Sequence, residues 1–243
     1  MIGFGKYGKK TELEIKSLND ERLILIDPSF EGFFDTVLDF YPDSKFDSDI
    51  INIRNFKEAV KDVKGVELIP FWRPVMDPSM EGENVVYKEG NEPATGYSFN
   101  WWCQKATEMP TVDGKTWKVS TEYQYYAFLV WLINKLVESR SMSVKKAIEA
   151  VVLDSFELGY YCNSRNVKVK GYFEPTGSRE VCGVYDLANN FKIIDCSNTE
   201  AGGFWLAGGN FLNLGHFYPL ARLEHYNYVD RGNDNSVGLL VLS

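Results

Sequence analysis

Short runs of apolar and polar residues in the first quarter of the chain predict two strands and one or two helices. Glu12–Lys16 alternates polar and apolar positions, and Leu23–Ile26 is a short apolar run, so both predict strands. Phe33–Phe40 is typical of a short helix or turn. Asn55–Lys64 predicts a helix, because Asn55 is a good N-cap residue and Gly65 is a good stop signal.

The middle of the chain carries the clearest helical pattern. Val66–Trp72 predicts another strand, and the polar segment Met80–Gly96 predicts a long loop. Apolar residues then recur with the helical period over Thr121–Arg140, which opens with the spacing of a capping box. A second helix is predicted over Ser143–Glu157, ended by Gly159. Two helices with so short a connection are expected to pack antiparallel.

The last third of the chain is rich in Gly and Asn and carries only short apolar runs. Val167–Tyr172 alternates like a strand, and short strands are predicted around residues 184–185, 191–194, 204–205 and 237–242. Long irregular loops would join them. The pattern as a whole predicts an α+β protein with mixed short strands, two packed helices and long irregular loops.

The charge and hydropathy of the chain argue against two classes of function, nucleic-acid binding and membrane insertion. The chain has 243 residues, a net charge of −8 and a pI near 5.0, which argues against nucleic-acid binding because that needs a basic surface. The longest apolar run, Ala127–Ile133, is too short to cross a bilayer, so membrane insertion is not expected. No signal peptide is visible, and virion-associated and cytoplasmic locations both stay open.

Cysteine and histidine usage gives little support to a metal site. The four cysteines show no C-x-x-C pair, so free thiols are the expected state and no cofactor is predicted. His216 and His225 are the two histidines of the chain, which excludes a three-histidine metal site.

Four pieces of sequence, in order, resemble the formylglycine-generating-enzyme subgroup of the C-type-lectin-like fold. Asp113–Tyr123 resembles a Gly-Lys turn followed by the family's Arg-Leu-Pro-Thr-Glu-like helix start, with Ser120 where the family has Pro. Gly183–Phe191 resembles the Gly-Leu-Tyr-Asp-Met-x-Gly-Asn-Val motif, and Gly202–Trp205 the Gly-Gly-x-Trp element. Val237–Val241 is a divergent counterpart of the closing Gly-Phe-Arg strand.

This resemblance implies a fold, a domain division and a lack of catalysis. It implies a C-type-lectin-like domain over residues 66–243, with residues 1–65 as an N-terminal α/β extension packed on it. Trp205 and Tyr185 belong to the shared motifs and are expected to be buried. The catalytic members bind copper through a cysteine pair near the C-terminus or iron through three histidines. This chain has neither set, so it is predicted not to be an enzyme.

Within the fold, residues 202–238 resemble the variable region of proteins diversified by retroelements. Such a protein binds a protein or cell-surface receptor, and viral members exist. The region mixes aromatic residues with Asn, His and Asp, which is also the chemistry of antibody paratopes. The predicted ligand-binding residues are Phe204, Leu206, Asn210, Phe211, Asn213, His216, Phe217, Tyr218, Leu220, His225, Tyr226, Asn227, Tyr228, Asp230, Asn233 and Asn235.

Two other functions stay open from the sequence. A calcium-dependent carbohydrate-binding lectin would use acidic and amide oxygens as ligands, for which Glu174-Pro175 and Asn233-Asp234 are faint counterparts. A sulfatase-modifying-factor-like enzyme is the second alternative. Calcium dependence of binding would separate the lectin from the receptor-binding protein.

Overall fold

A computed structural model describes residues 15–18, 21–41, 48–155, 158, 176–177, 180–187, 190–196, 203–209, 219–226 and 236–243 of the chain. The described part is mixed α+β, which confirms the fold class at that level. Its helices are α1 (Asp35–Leu38), α2 (Ser48–Gly65), α3 (Phe99–Glu108), α4 (Glu122–Ser139) and α5 (Val144–Val152). Its strands are β1 (Ile15–Leu18), β2 (Glu21–Ile26), β3 (Phe71–Pro74), β4 (Ser79–Glu81), β5 (Asn84–Val86), β6 (Trp117–Val119), β7 (Glu180–Val181), β8 (Val184–Tyr185), β9 (Phe191–Asp195), β10 (Phe204–Ala207), β11 (Leu223–Tyr226), β12 (Ser236–Gly238) and β13 (Leu240–Leu242).

The larger sheet has five antiparallel strands in the order β1-β2-β3-β13-β6. Strands from the beginning, middle and end of the chain therefore share one sheet. The C-terminal strand β13 lies between β3 and β6, where Leu242 pairs with both Trp72 and Trp117. The proposed division at residue 65 stays a prediction, although β1 and β2 belong to the same sheet as β3.

The smaller sheet has four strands in the order β11-β10-β9-β12. β10 is antiparallel to both neighbours, whereas β12 is parallel to β9. The two sheets meet where β12 continues into β13: the Leu239 N–H donates to the Ile193 carbonyl at 3.2 Å, and the Leu239 carbonyl accepts from Ser120 N–H at 2.7 Å. The chain thus passes directly from one sheet to the other through Leu239.

The core lies between the helices and the two sheets. α4 packs against α2, α5, β2 and β9, and nearly all of its residues from Gln124 to Leu136 are buried. Its first turn is closed by a full capping box, in which Thr121 Oγ1 accepts from Gln124 N–H at 3.2 Å and Gln124 Oε1 accepts from Thr121 N–H at 3.0 Å. The predicted capping box is therefore confirmed.

Two helix boundaries differ from the sequence prediction. α2 begins at Ser48 and not at Asn55, because the buried residues Ile50 and Ile53 extend its apolar face by two turns. α5 ends at Val152, short of the predicted Glu157. Beyond it, Ser155 leaves the helical ladder to accept a hydrogen bond from the Leu220 N–H at 2.8 Å.

Two further segments were also assigned wrongly. Residues 66–70 are not a strand, and β3 begins at Phe71. The predicted loop Met80–Gly96 contains the hairpin β4–β5, turned by Gly82 in the left-handed region (φ 63°). The predicted strand Val167–Tyr172 lies outside the described residues. In the part of the chain with described coordinates, no helix is both long and apolar enough to cross a membrane.

Candidate ligand-binding surface

The predicted binding region covers two stretches that lie outside the described residues, 210–218 and 227–235, here called the recognition segments. Both are attached to the four-stranded sheet: the first joins β10 to β11, and the second joins β11 to β12. Eleven of the predicted binding residues fall on them and are not located by the structure: Asn210, Phe211, Asn213, His216, Phe217, Tyr218, Asn227, Tyr228, Asp230, Asn233 and Asn235.

Strand register brings the attachment points of these segments together. Ala207 at the end of β10 pairs with Leu223 at the start of β11 and with Lys192 of β9, while Ser236 at the start of β12 pairs with Phe191. All four strands therefore have an end on one side of the sheet, called the Ser236 end. Three of the four points where the recognition segments join the sheet lie there. The fourth is Tyr226, at the opposite end.

Three predicted binding residues are buried, so their assignment to an exposed surface is wrong. Phe204 and Leu206 are 2% and 1% exposed, because alternation along β10 turns both side chains toward the core. The Phe204 ring stacks on Phe99 with ring centroids 5.5 Å apart. Leu220 is 1% exposed, and its carbonyl accepts a hydrogen bond from the Tyr125 hydroxyl at 2.8 Å.

His225 and Tyr226 lie on β11, between the two recognition segments. Their backbones pair with Trp205 and Phe204 of β10.

Trp205 itself is half-buried and packs against the core, so the expectation of full burial is met only in part. Tyr185 is half-buried as well, with the Arg22 guanidinium 5.1 Å from its ring centroid.

Helices α4 and α5 anchor the chain between the two segments. The Ala221 N–H donates to the Val151 carbonyl at 3.0 Å, and Ser155 Oγ accepts from Leu220 N–H at 2.8 Å. The Arg222 carbonyl in turn accepts from Gly208 N–H at 2.8 Å. Residues 219–222 are thereby bonded to the end of α5 and to β10. These bonds give the first recognition segment a fixed base at both of its ends.

A buried polar cluster, which the sequence reasoning missed, lies beneath the Ser236 end. Lys192 Nζ contacts Asp77 Oδ1 at 2.5 Å and donates to the Asp186 carbonyl at 2.8 Å. The second oxygen of Asp77 accepts from Asn190 Nδ2 at 3.0 Å. Asp186 accepts from the backbone N–H groups of Gly177, at 2.9 and 3.0 Å, and of Asp77, at 3.1 Å.

Burial shifts the pKa of several groups in and around this cluster. Desolvation, reinforced by the neighbouring Asp77 charge, raises the pKa of Asp186 to about 6, although its backbone hydrogen bonds and Lys192 oppose the rise. Desolvation lowers the pKa of Lys192, with Asp77 opposing, and lowers the pKa of Arg73 to about 10. The Arg73 guanidinium lies 3.7 Å from the centroid of the Phe128 ring.

The burial of this cluster indicates a structural role and not a ligand-binding one. Asp77, Asp186, Asn190 and Lys192 are each 1–3% exposed, so a ligand has no route to them. Two carboxylates, one ammonium and the nearby guanidinium of Arg73 balance in charge. The sequence signal was Lys192 itself, a lysine inside the apolar strand Phe191–Asp195, since a buried lysine needs a carboxylate partner.

Three cysteines lie in the described part of the chain, all of them as free thiols. Cys103, Cys182 and Cys196 are free thiols, while Cys162 lies outside the described part. Burial raises the pKa of Cys103 and of Cys196, with nearby carboxylates adding to the rise, so both stay protonated near neutral pH. Within the described ranges, no three His, Cys, Asp or Glu side chains are grouped as metal ligands would be.

Two shallow grooves lie away from the Ser236 end. The first, of about 290 Å³, lies between the β4–β5 hairpin and the end of α3. The second, of about 460 Å³, lies between residues 28–35 and the end of α2. Neither contains a predicted binding residue.

Comparison of the chain with protein-family models, with curated proteins and with solved structures finds no match.

Proposed function

We propose that this chain is a ligand-binding protein that displays a diversified surface, built from the two recognition segments, on a C-type-lectin-like scaffold. Its ligand is a protein or a cell-surface receptor, and its diversity comes from a retroelement. The observation that carries the proposal is the shared attachment of both segments at the Ser236 end of one sheet. Function that resides in loops needs such a fixed base.

Local geometry at the motifs supports the scaffold. Asp113 and Gly114 form the expected turn, with φ angles of 50° and 76°, directly before β6. Thr121 then caps α4, as the resemblance predicts for a helix start. Phe204 and Trp205 lie on β10, next to the first recognition segment. The first and third of the four motifs thus lie at element boundaries.

The composition of the segments supports recognition. Residues 210–218 and 227–235 combine Phe, Tyr, His, Asn and Asp, which supply rigid contact area and adaptable hydrogen bonds. The buried residues next to them, Phe204, Leu206 and Leu220, belong to the scaffold instead. We therefore assign ligand contact to the segments alone, and Phe204, Leu206 and Leu220 to the core.

A folding test separates the segments from the scaffold without knowledge of the ligand. Asn210, Asn213, Tyr218, Tyr228 and Asn233 are replaced together by other amino acids reachable through adenine changes or by Ser. We expect Tm to stay within a few degrees, because surface substitutions change stability by about 0.5 kcal/mol or less each. The matched control replaces Phe204, Leu206 and Leu220 by Ala, each of which costs about 2–5 kcal/mol as a core truncation.

A binding test uses the same positions. A library diversified at those five residues is displayed and selected against a panel of purified, unrelated proteins, with a library diversified on the exposed face of α2 as control. Enrichment of binders from the first library alone supports the proposal. Loss of folding across that library, or equal enrichment from both, contradicts it. A near-copy of the coding stretch for residues 202–238, differing at adenines and beside a reverse transcriptase gene, would identify the source of diversity.

A further inference from the structure

The groove beside α1 has an apolar floor and an acidic rim. It is lined by Phe33 and Phe34, which belong to the core, and by Phe30 and Val66, each 39% exposed. Ile69 follows immediately and is 60% exposed. Large apolar side chains this exposed, grouped around one groove of about 460 Å³, are typical of a surface that binds another segment of protein.

Charge around the groove is unbalanced. Among its lining residues, Glu31, Asp35 and Glu67 are acidic and Lys64 is basic. Lys64 Nζ lies 3.8 Å from Asp35 Oδ1, so its charge is directed at that one carboxylate. The groove therefore favours an occupant that carries apolar side chains together with several positive charges.

The N-terminal segment of the same chain has that composition. Residues 1–10 contain Ile2, Phe4 and Tyr7 together with Lys6, Lys9 and Lys10, and no acidic residue. This is the reverse of the net charge of −8 of the whole chain. The acidic residues Glu12 and Glu14 follow only where the chain approaches β1.

Strand register directs this segment toward the groove. Ile15, the first residue of β1, pairs with Ile24 of β2 in an antiparallel ladder. The first residue of β1 therefore lies on the side of the sheet on which β2 ends at Ile26, and the groove starts two residues further on, at Pro28. Lys10 and Lys6 lie five and nine residues before Ile15, which allows a reach of roughly 17 and 30 Å when extended.

We propose that residues 1–10 bind in this groove of their own chain, with Ile2, Phe4 or Tyr7 against Phe30 and Val66 and the lysines against Glu31 and Glu67. The apolar contacts remove exposed Phe30, Val66 and Ile69 from water, and the lysines balance the acidic rim. The N-terminal segment thus covers a face of the molecule remote from the recognition segments in sequence.

Zero-length carbodiimide cross-linking of the full chain, followed by mass spectrometry, tests this proposal. The reagent joins lysines to carboxylates in contact, and the Lys64–Asp35 pair provides an internal positive control. We expect links from Lys6, Lys9 or Lys10 to Glu31, Asp35 or Glu67. An equal mixture of unlabelled and 15N-labelled chain shows whether each link lies within one molecule, as proposed, or between two.

Matched variants separate specific contact from general charge attraction. Glu31→Gln with Glu67→Gln should lower the yield of these links several-fold, whereas Glu83→Gln with Glu92→Gln, two exposed glutamates outside the groove, should leave it unchanged. Ile2→Ser with Phe4→Ser should also lower the yield and speed amide hydrogen exchange in residues 28–35. Links between labelled and unlabelled chains would overturn the proposal in favour of a second copy. If Lys64 and Asp35 still react but the N-terminal lysines form no links to the groove, residues 1–10 do not bind there. That result would also overturn the proposal.

Discussion

Lys192 lies in the middle of an otherwise apolar strand, and its environment shows how single residues stabilise this fold. Its side chain is 2% exposed and its ammonium reaches Asp77, which is 115 residues away along the chain but adjacent in space. A buried ion pair of this kind adds little net stability by itself, yet removing one partner costs about 3–5 kcal/mol because the other charge is then stranded. Asp77 and Lys192 therefore fix the contact between β9 and the segment after β3.

Asp186 gives the fold a specific pH dependence. Its pKa of about 6 in the folded chain exceeds the ordinary value of 3.8, so the folded chain takes up this proton first. Stability should consequently rise as the pH falls from 7 to 5, by about 1 kcal/mol from this group, and the gain is lost again as the pH rises through 6. Denaturant unfolding of the wild type and of Asp186→Asn at both pH values measures the difference.

A matched control for this experiment is Asp113→Asn. Asp113 shares the left-handed backbone of Asp186, with φ angles of 50° and 57°, but it is exposed. Its substitution shows how an Asp-to-Asn change at a left-handed position affects the free energy of unfolding when the side chain is exposed. If Asp186→Asn and the wild type respond to pH in parallel, the buried carboxyl does not titrate in this range.

Gly238 is required because of the space its neighbour occupies. A Cβ atom at this position would lie 2.7 Å from Cε3 of the buried Trp102 ring and closer still to Cγ and Cδ2. A rigid, fully buried ring has no room to retreat, so Gly238→Ala should cost at least about 2 kcal/mol. For a chain of this size that lowers Tm by roughly 4–8 °C, measurable by calorimetry.

Gly65→Ala is the control for Gly238→Ala. Gly65 ends α2, and a Cβ there meets no atom within 4 Å. Its substitution should be neutral or slightly stabilising, since Ala restricts the unfolded chain more than Gly does. Equal effects of the two substitutions would show that Trp102 does not pack on Gly238.

At the scale of elements, the residues just after α5 position the chain that leads into β11. Ser155 Oγ is placed one turn beyond the helix, where it accepts from the Leu220 N–H, and Tyr125 of α4 donates to the carbonyl of the same residue. Both backbone groups of Leu220 are thus bonded to side chains from the helical layer. The helices fix the position from which the first recognition segment returns to the sheet.

Ser155→Ala should loosen that return point selectively. The buried Leu220 N–H loses its acceptor, which costs about 1–3 kcal/mol. Amide hydrogen exchange in residues 219–226 should accelerate more than exchange in α5 itself. Ser143→Ala, which removes the cap bond to the Lys146 N–H at 3.3 Å and costs about 1 kcal/mol, is the control and should leave residues 219–226 unchanged.

Elements with strong local signals were predicted well. α4 has both a long periodic face and a capping box, and its predicted bounds match Thr121 and Arg140 as its two caps. The start of α2 was missed because Asn55 is a good local cap, yet the burial of Ile50 and Ile53 outweighs it. The β4–β5 hairpin was missed because its strands have three residues each, which is too short for an alternation of apolar and polar residues to predict a strand.

At the scale of the whole molecule, the sequence could not show which of the predicted binding residues face the core. Phe204, Leu206 and Leu220 resemble the other predicted binding residues in type, and only strand pairing and the hydrogen bonds of Tyr125 and Ser155 reveal their burial. The polar cluster of Asp77, Asp186 and Lys192 joins residues more than a hundred positions apart. Contacts of that range leave no periodic trace in a single sequence.

The position of β13 has a consequence for how the chain is made. Residues 240–242 lie between β3 and β6, so β6 cannot join the five-stranded sheet until synthesis has passed through both recognition segments. Pairing of Leu242 with Trp72 closes a very long loop, and nascent chains must wait for it. A product that ends between residues 202 and 238 lacks β13, so we expect β6 to be left without its partner strand and the product to be more sensitive to proteases. Completion of the larger sheet thus depends on translation through residue 242.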